Sequence, residues 1–136
     1  MTLQWIDRTA GVAYVSLRNQ LGAFHEFLNA VEQLIAHPDW RPGMPVVEDI
    51  RELTCPIPPN YAEEWRAYVA ERGPMLDGCR WAVVRRDTDS PMVSVLEAAA
   101  RDAAPHGVLL EQFSNMVDAH LWVGSATVRC TAQAGT

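Results

Sequence analysis

The chain has 136 residues, 49% of them hydrophobic and 21% charged, a balance that fits one ordinary globular domain with a single core and fits neither a disordered chain nor a membrane span. A net charge of -6 argues against binding the phosphate backbone of nucleic acid, which needs a clustered cationic surface. Three cysteines, Cys55, Cys79 and Cys130, are odd in number and widely spaced, which fits reduced thiols rather than a disulfide framework. No secretory leader is readable at the start, because Trp5 is soon followed by Asp7 and Arg8, and a cytoplasmic location is the resulting expectation.

In chain order, Leu3 to Ile6 and Val12 to Leu17 read as two strands joined by a polar turn, Asp7-Arg8-Thr9-Ala10-Gly11, so a β-hairpin opens the domain. After Asn19, a candidate N-cap, Phe24, Phe27, Leu28, Val31, Leu34 and Ile35 recur at steps of three and four, which predicts a helix ending at His37 before Pro38. Val46 to Ile50 is a β-rich run between breakers, a third strand. Its proline-rich successor loop, Arg51 to Pro59, leads to Asn60 and Glu63, a capping-box-like start for a second helix, with Gly73-Pro74 as its expected stop.

Trp81 to Arg85 predicts a fourth strand, and Ser90-Pro91 starts a third helix running to about Arg101. Val108 to Phe113 predicts a fifth strand. Ser114 is the expected cap of a last helix whose apolar face includes Val117, Leu121 and Trp122, and Gly124 is its expected stop. The whole predicts an α/β fold: a mixed, mostly parallel five-stranded sheet with about four helices, formed by residues 1–124, with residues 125–136 as a loosely held polar tail.

The run His37-Pro38-Asp39-Trp40-Arg41-Pro42-Gly43-Met44-Pro45-Val46-Val47-Glu48-Asp49-Ile50-Arg51 resembles the helix-to-strand passage of SpoIIAA-like (STAS-like) domains. Trp81-Ala82-Val83-Val84 and the stretch from Phe113 to Val123 add weaker likeness, so the resemblance spans most of residues 1–124. It implies a STAS-like fold and a regulatory or protein-interaction role of the anti-sigma-factor-antagonist kind, without catalysis and without a cofactor. In the phosphorylated members a serine follows the third strand within an Asp-Ser-Ser-Gly-like motif. Here the place reads Leu53-Thr54-Cys55-Pro56, leaving Thr54 as the hydroxyl that the resemblance offers for phosphorylation.

Loops at the carboxyl ends of parallel strands gather along one rim, which would bring together Arg18, the stretch Arg51 to Cys55, Arg85-Arg86-Asp87 and Glu111-Gln112. Arg51, Arg85 and Arg86 have the planar donor pairs that clamp a carboxylate or phosphate, although pairing with Glu52 and Asp87 is the plainer expectation. Cys55 would be a reactive thiol only if a helix N-terminus or an arginine lowered its pKa, and Cys79 reads as core. Histidines 25, 37, 106 and 120 stand on different elements, so no metal site is expected, and a capping and dipole role for His37 at the helix C-terminus outweighs acid-base work with Asp39. Tyr61, Trp65 and Tyr68 recur at helical spacing, either as core or, if exposed, as an aromatic docking stripe. A protein partner is thus expected, the alternative being a small carrier that holds an apolar or anionic ligand near the second helix. A homodimer is compatible with either reading.

Overall fold

The computed structural model describes residues 2–18, 23–53, 60–87 and 90–124, with the side chains of 23, 24 and 90 left out. The expectations for Asn19, Phe24, Thr54, Cys55, the Ser90 side chain, Cys130 and the tail 125–136 lie outside the described residues. The strands are β1 (Thr2–Asp7), β2 (Val12–Arg18), β3 (Val46–Glu52), β4 (Arg80–Val84) and β5 (Leu109–Phe113). The helices are α1 (Ala23–Ala36), α2 (Tyr61–Glu71), the single turn α3 (Gly73–Leu76), α4 (Ser90–Ala103), which runs into a 3-10 turn at Ala104–His106, and α5 (residues 116–124).

The strands lie in sequence order, β1-β2-β3-β4-β5, with β1 antiparallel to β2 and every later pair parallel. The hairpin is closed by its own side chains: Asp7 Oδ1 accepts the backbone N–H groups of Thr9 (3.0 Å) and Ala10 (3.1 Å), and Gly11 takes φ 70°, a left-handed conformation that costs glycine nothing. Three crossovers then step in one direction across the sheet, and α1, α2 and α4 all pack on one face, so the three share one hand. The expected α/β class with a mixed, mainly parallel five-stranded sheet is what the chain adopts.

The alternation of side chains along each strand makes two cores. Val15, Val46, Trp81 and Val83 meet Phe27, Val31, Leu34, Trp65, Val69 and Leu96 on the first face. Val12, Val47, Ala82 and Val84 meet Ala119 and Val123 of α5 on the second. Strands β3 and β4 are therefore apolar on both sides, which is why Val46-Val47 and Trp81 to Val84 read as unbroken hydrophobic runs.

Four local expectations are corrected. Asn60 does not cap α2 through its side chain: its φ and ψ of -96° and 14° are not those of an N-cap, and its Nδ2 instead donates to Glu64 Oε1 at 2.7 Å. Gly73-Pro74 does not simply stop the helix; α2 ends at Glu71, and Gly73 and Pro74 open the next turn, where a missing proline N–H has no intrahelical partner to lose. The cap of α5 is Asn115, not Ser114: its Oδ1 accepts the Asp118 N–H at 2.8 Å while its Nδ2 donates to Asp118 Oδ2 at 3.0 Å. Val117 and Leu121 are not the buried face of α5, being 68% and 65% exposed; Ala119 and Val123 lie against the sheet, with Trp122 partly buried beside them.

Candidate functional site

The carboxyl ends of β2 to β5 do share a rim, and its polar side chains hold one another. Arg18 Nε lies 2.9 Å from Glu52 Oε2, joining β2 to β3. Asp49 accepts both Nε and Nη2 of Arg51 at 2.9 Å and the Arg51 backbone N–H at 3.1 Å. Arg86 Nη2 donates to the Leu53 carbonyl (3.1 Å), Arg85 Nε donates to Gln112 Oε1 (2.6 Å), and Gln112 Nε2 continues to the Val93 carbonyl (3.2 Å). Arg51 thus pairs with Asp49 rather than Glu52, because residues two apart on a strand project from the same face. Arg85 is held by an amide and by the Arg86 carbonyl (3.0 Å) rather than by Asp87. Partial burial pushes the Asp49 carboxyl up, but hydrogen bonds from Arg51 and the charges of Arg51 and Arg18 outweigh it and hold it below its ordinary value.

The aromatic residues of α2 separate into core and latch. Trp65 is only 1% exposed; its ring lies 5.8 Å from Phe27, 5.4 Å from Trp81 and 6.5 Å from Tyr68, and its indole N–H donates to the Ala99 carbonyl at 3.3 Å. Its surroundings are filled by rings, so Trp65 offers no surface to a partner or ligand. Tyr68, half-buried, donates its hydroxyl to Glu32 Oε1 (2.7 Å), which also accepts Arg72 Nε (2.6 Å), and this latch ties α2 to α1. Trp40 joins the same core. Cys79 is buried as expected, and burial pushes its thiol up to about 12, away from reactivity.

One buried group carries more chemistry than its sequence context suggests. Glu48, on the central strand β3, is only 4% exposed and accepts the Trp81 indole N–H at 2.9 Å, with no basic side chain paired to it among the described residues. Burial pushes its carboxyl up to about 7, and the indole hydrogen bond opposes that only in part. Tyr61 feels it: burial raises its hydroxyl pKa, and the charge of Glu48 raises it further. The signal was present in Val46-Val47-Glu48-Asp49-Ile50, where alternation sets Glu48 on the face of Val46 and Ile50.

The second face of the sheet is thinly covered. Trp5 of β1 stacks on its cross-strand partner Tyr14, with ring centroids 5.0 Å apart and planes inclined by 10°, yet remains 48% exposed. The Tyr14 hydroxyl lies 2.9 Å from His120 Nε2, and His120 Nδ1 lies 2.9 Å from the Met116 carbonyl. A carbonyl only accepts, so Nδ1 carries the hydrogen and Nε2 of the neutral ring accepts from Tyr14. Burial and the Asp7 carboxylate raise the Tyr14 pKa, which keeps that hydroxyl a donor. His37, by contrast, forms a turn: its Nδ1 accepts the Asp39 backbone N–H at 3.0 Å, so the Asp39 carboxylate, 3.8 Å away, receives no hydrogen from it.

Among the described residues no three His, Cys, Asp or Glu side chains gather so as to hold a metal ion, and no helix is long and apolar enough to cross a membrane. No protein-family model matches the chain, and neither does any curated protein or solved structure.

Proposed function

We propose that the protein is a non-catalytic regulatory or interaction module of a SpoIIAA-like (STAS-like) kind, which docks a protein partner on the sheet face around Trp5. A leading hairpin followed by three parallel strands in sequence order supports the kinship. The observation that carries the docking role is the Trp5–Tyr14 stack: a large ring held rigid by a neighbour, half in solvent, and therefore able to bury apolar area on binding with little loss of side-chain freedom. Helix α2, whose Trp65 is committed to the core, is not the contact surface in this reading.

The test is a photo-crosslinking amino acid at position 5 in the producing cells, with the same probe at the exposed Glu97 as control. The reading expects one reproducible protein adduct at position 5, absent at position 97, and a purified complex weakened about tenfold by Trp5→Ala. Indistinguishable adducts at the two positions would count against it. So would native mass spectrometry that finds a small molecule retained by the chain and no partner, the behaviour of a carrier.

A further inference from the structure

Among the described residues, strand β5 ends the sheet and pairs with β4 alone, in unbroken register from Arg80–Leu109 to Val84–Phe113. The Leu109 N–H donates to the Cys79 carbonyl and the Phe113 carbonyl accepts the Arg85 N–H, both at 2.9 Å. Odd-numbered residues of β5 therefore turn their backbone groups toward β4, and the N–H and C=O groups of Leu110 and Gln112 point out along the free edge. None of these four groups has a hydrogen-bond partner among the described residues. Of the devices that usually blunt an edge, β5 holds no lysine, proline or bulge, and its one charged side chain is Glu111.

A cleft of about 270 Å³ runs beside this edge. The small side chains of Ala100 and Ala104 wall one side, Trp122 and Arg80 wall the other, and Val108, Leu109, Leu110 and Glu111 line it between them, Arg80 being its cation and Glu111 its carboxylate. Arg80 lies 5.1 Å over the Trp122 ring and makes one long hydrogen bond, 3.4 Å, to the Trp122 carbonyl. It makes no ion pair among the described residues.

We propose that the open edge of β5 receives an extended segment of a partner polypeptide, which adds as a sixth strand and sets an acidic side chain on Arg80. The backbone groups of Leu110 and Gln112 supply the ladder, and the two walls receive side chains that alternate along the added strand. A second copy of the chain fits less well. Antiparallel pairing of two β5 edges through Leu110 and Gln112 places the dyad at Glu111, and the two Glu111 carboxylates would then stand opposite each other. The surface lies at the other edge of the sheet from Trp5, and it stands or falls separately from the docking role given to that residue.

The experiment is a two-dimensional NMR titration of the full chain with a capped heptapeptide of alternating valine and threonine bearing a central glutamate. Two further probes are the same peptide with a central lysine and the glutamate peptide N-methylated at alternate amides. Binding of the glutamate peptide should slow hydrogen exchange at Leu110 and Gln112, and the lysine peptide should bind about tenfold more weakly, the loss of one charge-assisted pair. Arg80→Glu should reverse that preference, and the N-methylated peptide should fail to bind. Equal binding of the glutamate and lysine peptides would overturn the proposal. Amides at Leu110 and Gln112 already protected without peptide would also overturn it, since the edge would then be occupied by the chain itself or a second copy. Acetate or a fatty carboxylate moving the Trp122 signal while neither peptide protects those amides would make the cleft a small-molecule site and end the strand reading.

Discussion

The Trp81 indole N–H points at Glu48 Oε1 from 2.9 Å, and both residues are sealed from solvent between the sheet and the helices of its first face. A carboxylate so placed has one neutral donor and, among the described residues, no paired cation, so its charged form is poorly supported.

The consequence is a pH dependence of stability with a definite sign. In the unfolded chain a glutamate loses its proton near 4.5, whereas Glu48 in the fold keeps it up to about 7. Between those values the native state binds more protons, so the contribution of this carboxyl is present in full below pH 4.5 and is lost as pH rises to about 7. The loss is on the order of 3 kcal/mol. Urea denaturation of the wild type across that window should show the decline. Glu48→Gln, which keeps an acceptor for the indole, should flatten it and be the more stable protein above pH 7. A variant with an unchanged slope would remove Glu48 as the cause.

The Glu32 latch has the opposite sign. Burial pushes its carboxyl up, but the hydrogen bonds from Arg72 and Tyr68 and the charge of Arg72 outweigh this and hold it below its ordinary 4.5. Its stabilisation is therefore present above pH 4.5 and is lost as pH falls through the lower folded value. Tyr68→Phe should cost about 1 kcal/mol, and a double-mutant cycle with Glu32→Gln should return a coupling of about 1 kcal/mol. Strict additivity would mean that the contact joins α1 to α2 without stabilising the protein.

Trp65 distinguishes core from surface. Trp65→Ala should cost about 3–5 kcal/mol, since it empties the space between Phe27, Trp81 and Tyr68. Thermal melting with near-ultraviolet circular dichroism measures both the loss and the disordering of the remaining rings. A near-neutral result would place the side chain outside the core after all.

Gly107 sets the start of β5. Its φ is 81°, and a Cβ built there would stand 1.8 Å from Asp77 Oδ1. Gly107→Ala should destabilise by about 1–3 kcal/mol, combining backbone strain with the clash. Adding Asp77→Ala should return only the clash. Complete recovery in the double variant would show that the left-handed backbone costs nothing at this position.

Much of the fold was legible because its signals are local. The Asp7 to Gly11 turn, the three-and-four spacing of α1, Pro91 in the first turn of α4 and the apolar runs of β3 and β4 each fix a segment through contacts within a few residues. The rim arginines were legible as a group, since parallel strands must end on one edge, but their partners were not. Gln112 reaches Arg85 through the register of β4 and β5, which no local signal sets, whereas Asp49 takes Arg51 from the same face of one strand once β3 runs on to Glu52. Asn115 prevailed over Ser114 as the cap of α5 because the helix begins one residue later than hydrophobic spacing suggests.

By itself, the sequence determined the class of fold, the order of its elements and the hairpin that opens it, because alternation, helical spacing and turn chemistry act along the chain. Only the tertiary structure decided which side chains are left over once the layers close. It buried Trp65 and Glu48, left Trp5, Val117 and Leu121 facing out, and gave the outer edge of β5 no paired strand among the described residues. The physical reason is that burial belongs to the packing of one element against another: a stripe of rings on α2 or a carboxylate in β3 reads the same in sequence whether water or a neighbouring ring lies beyond it.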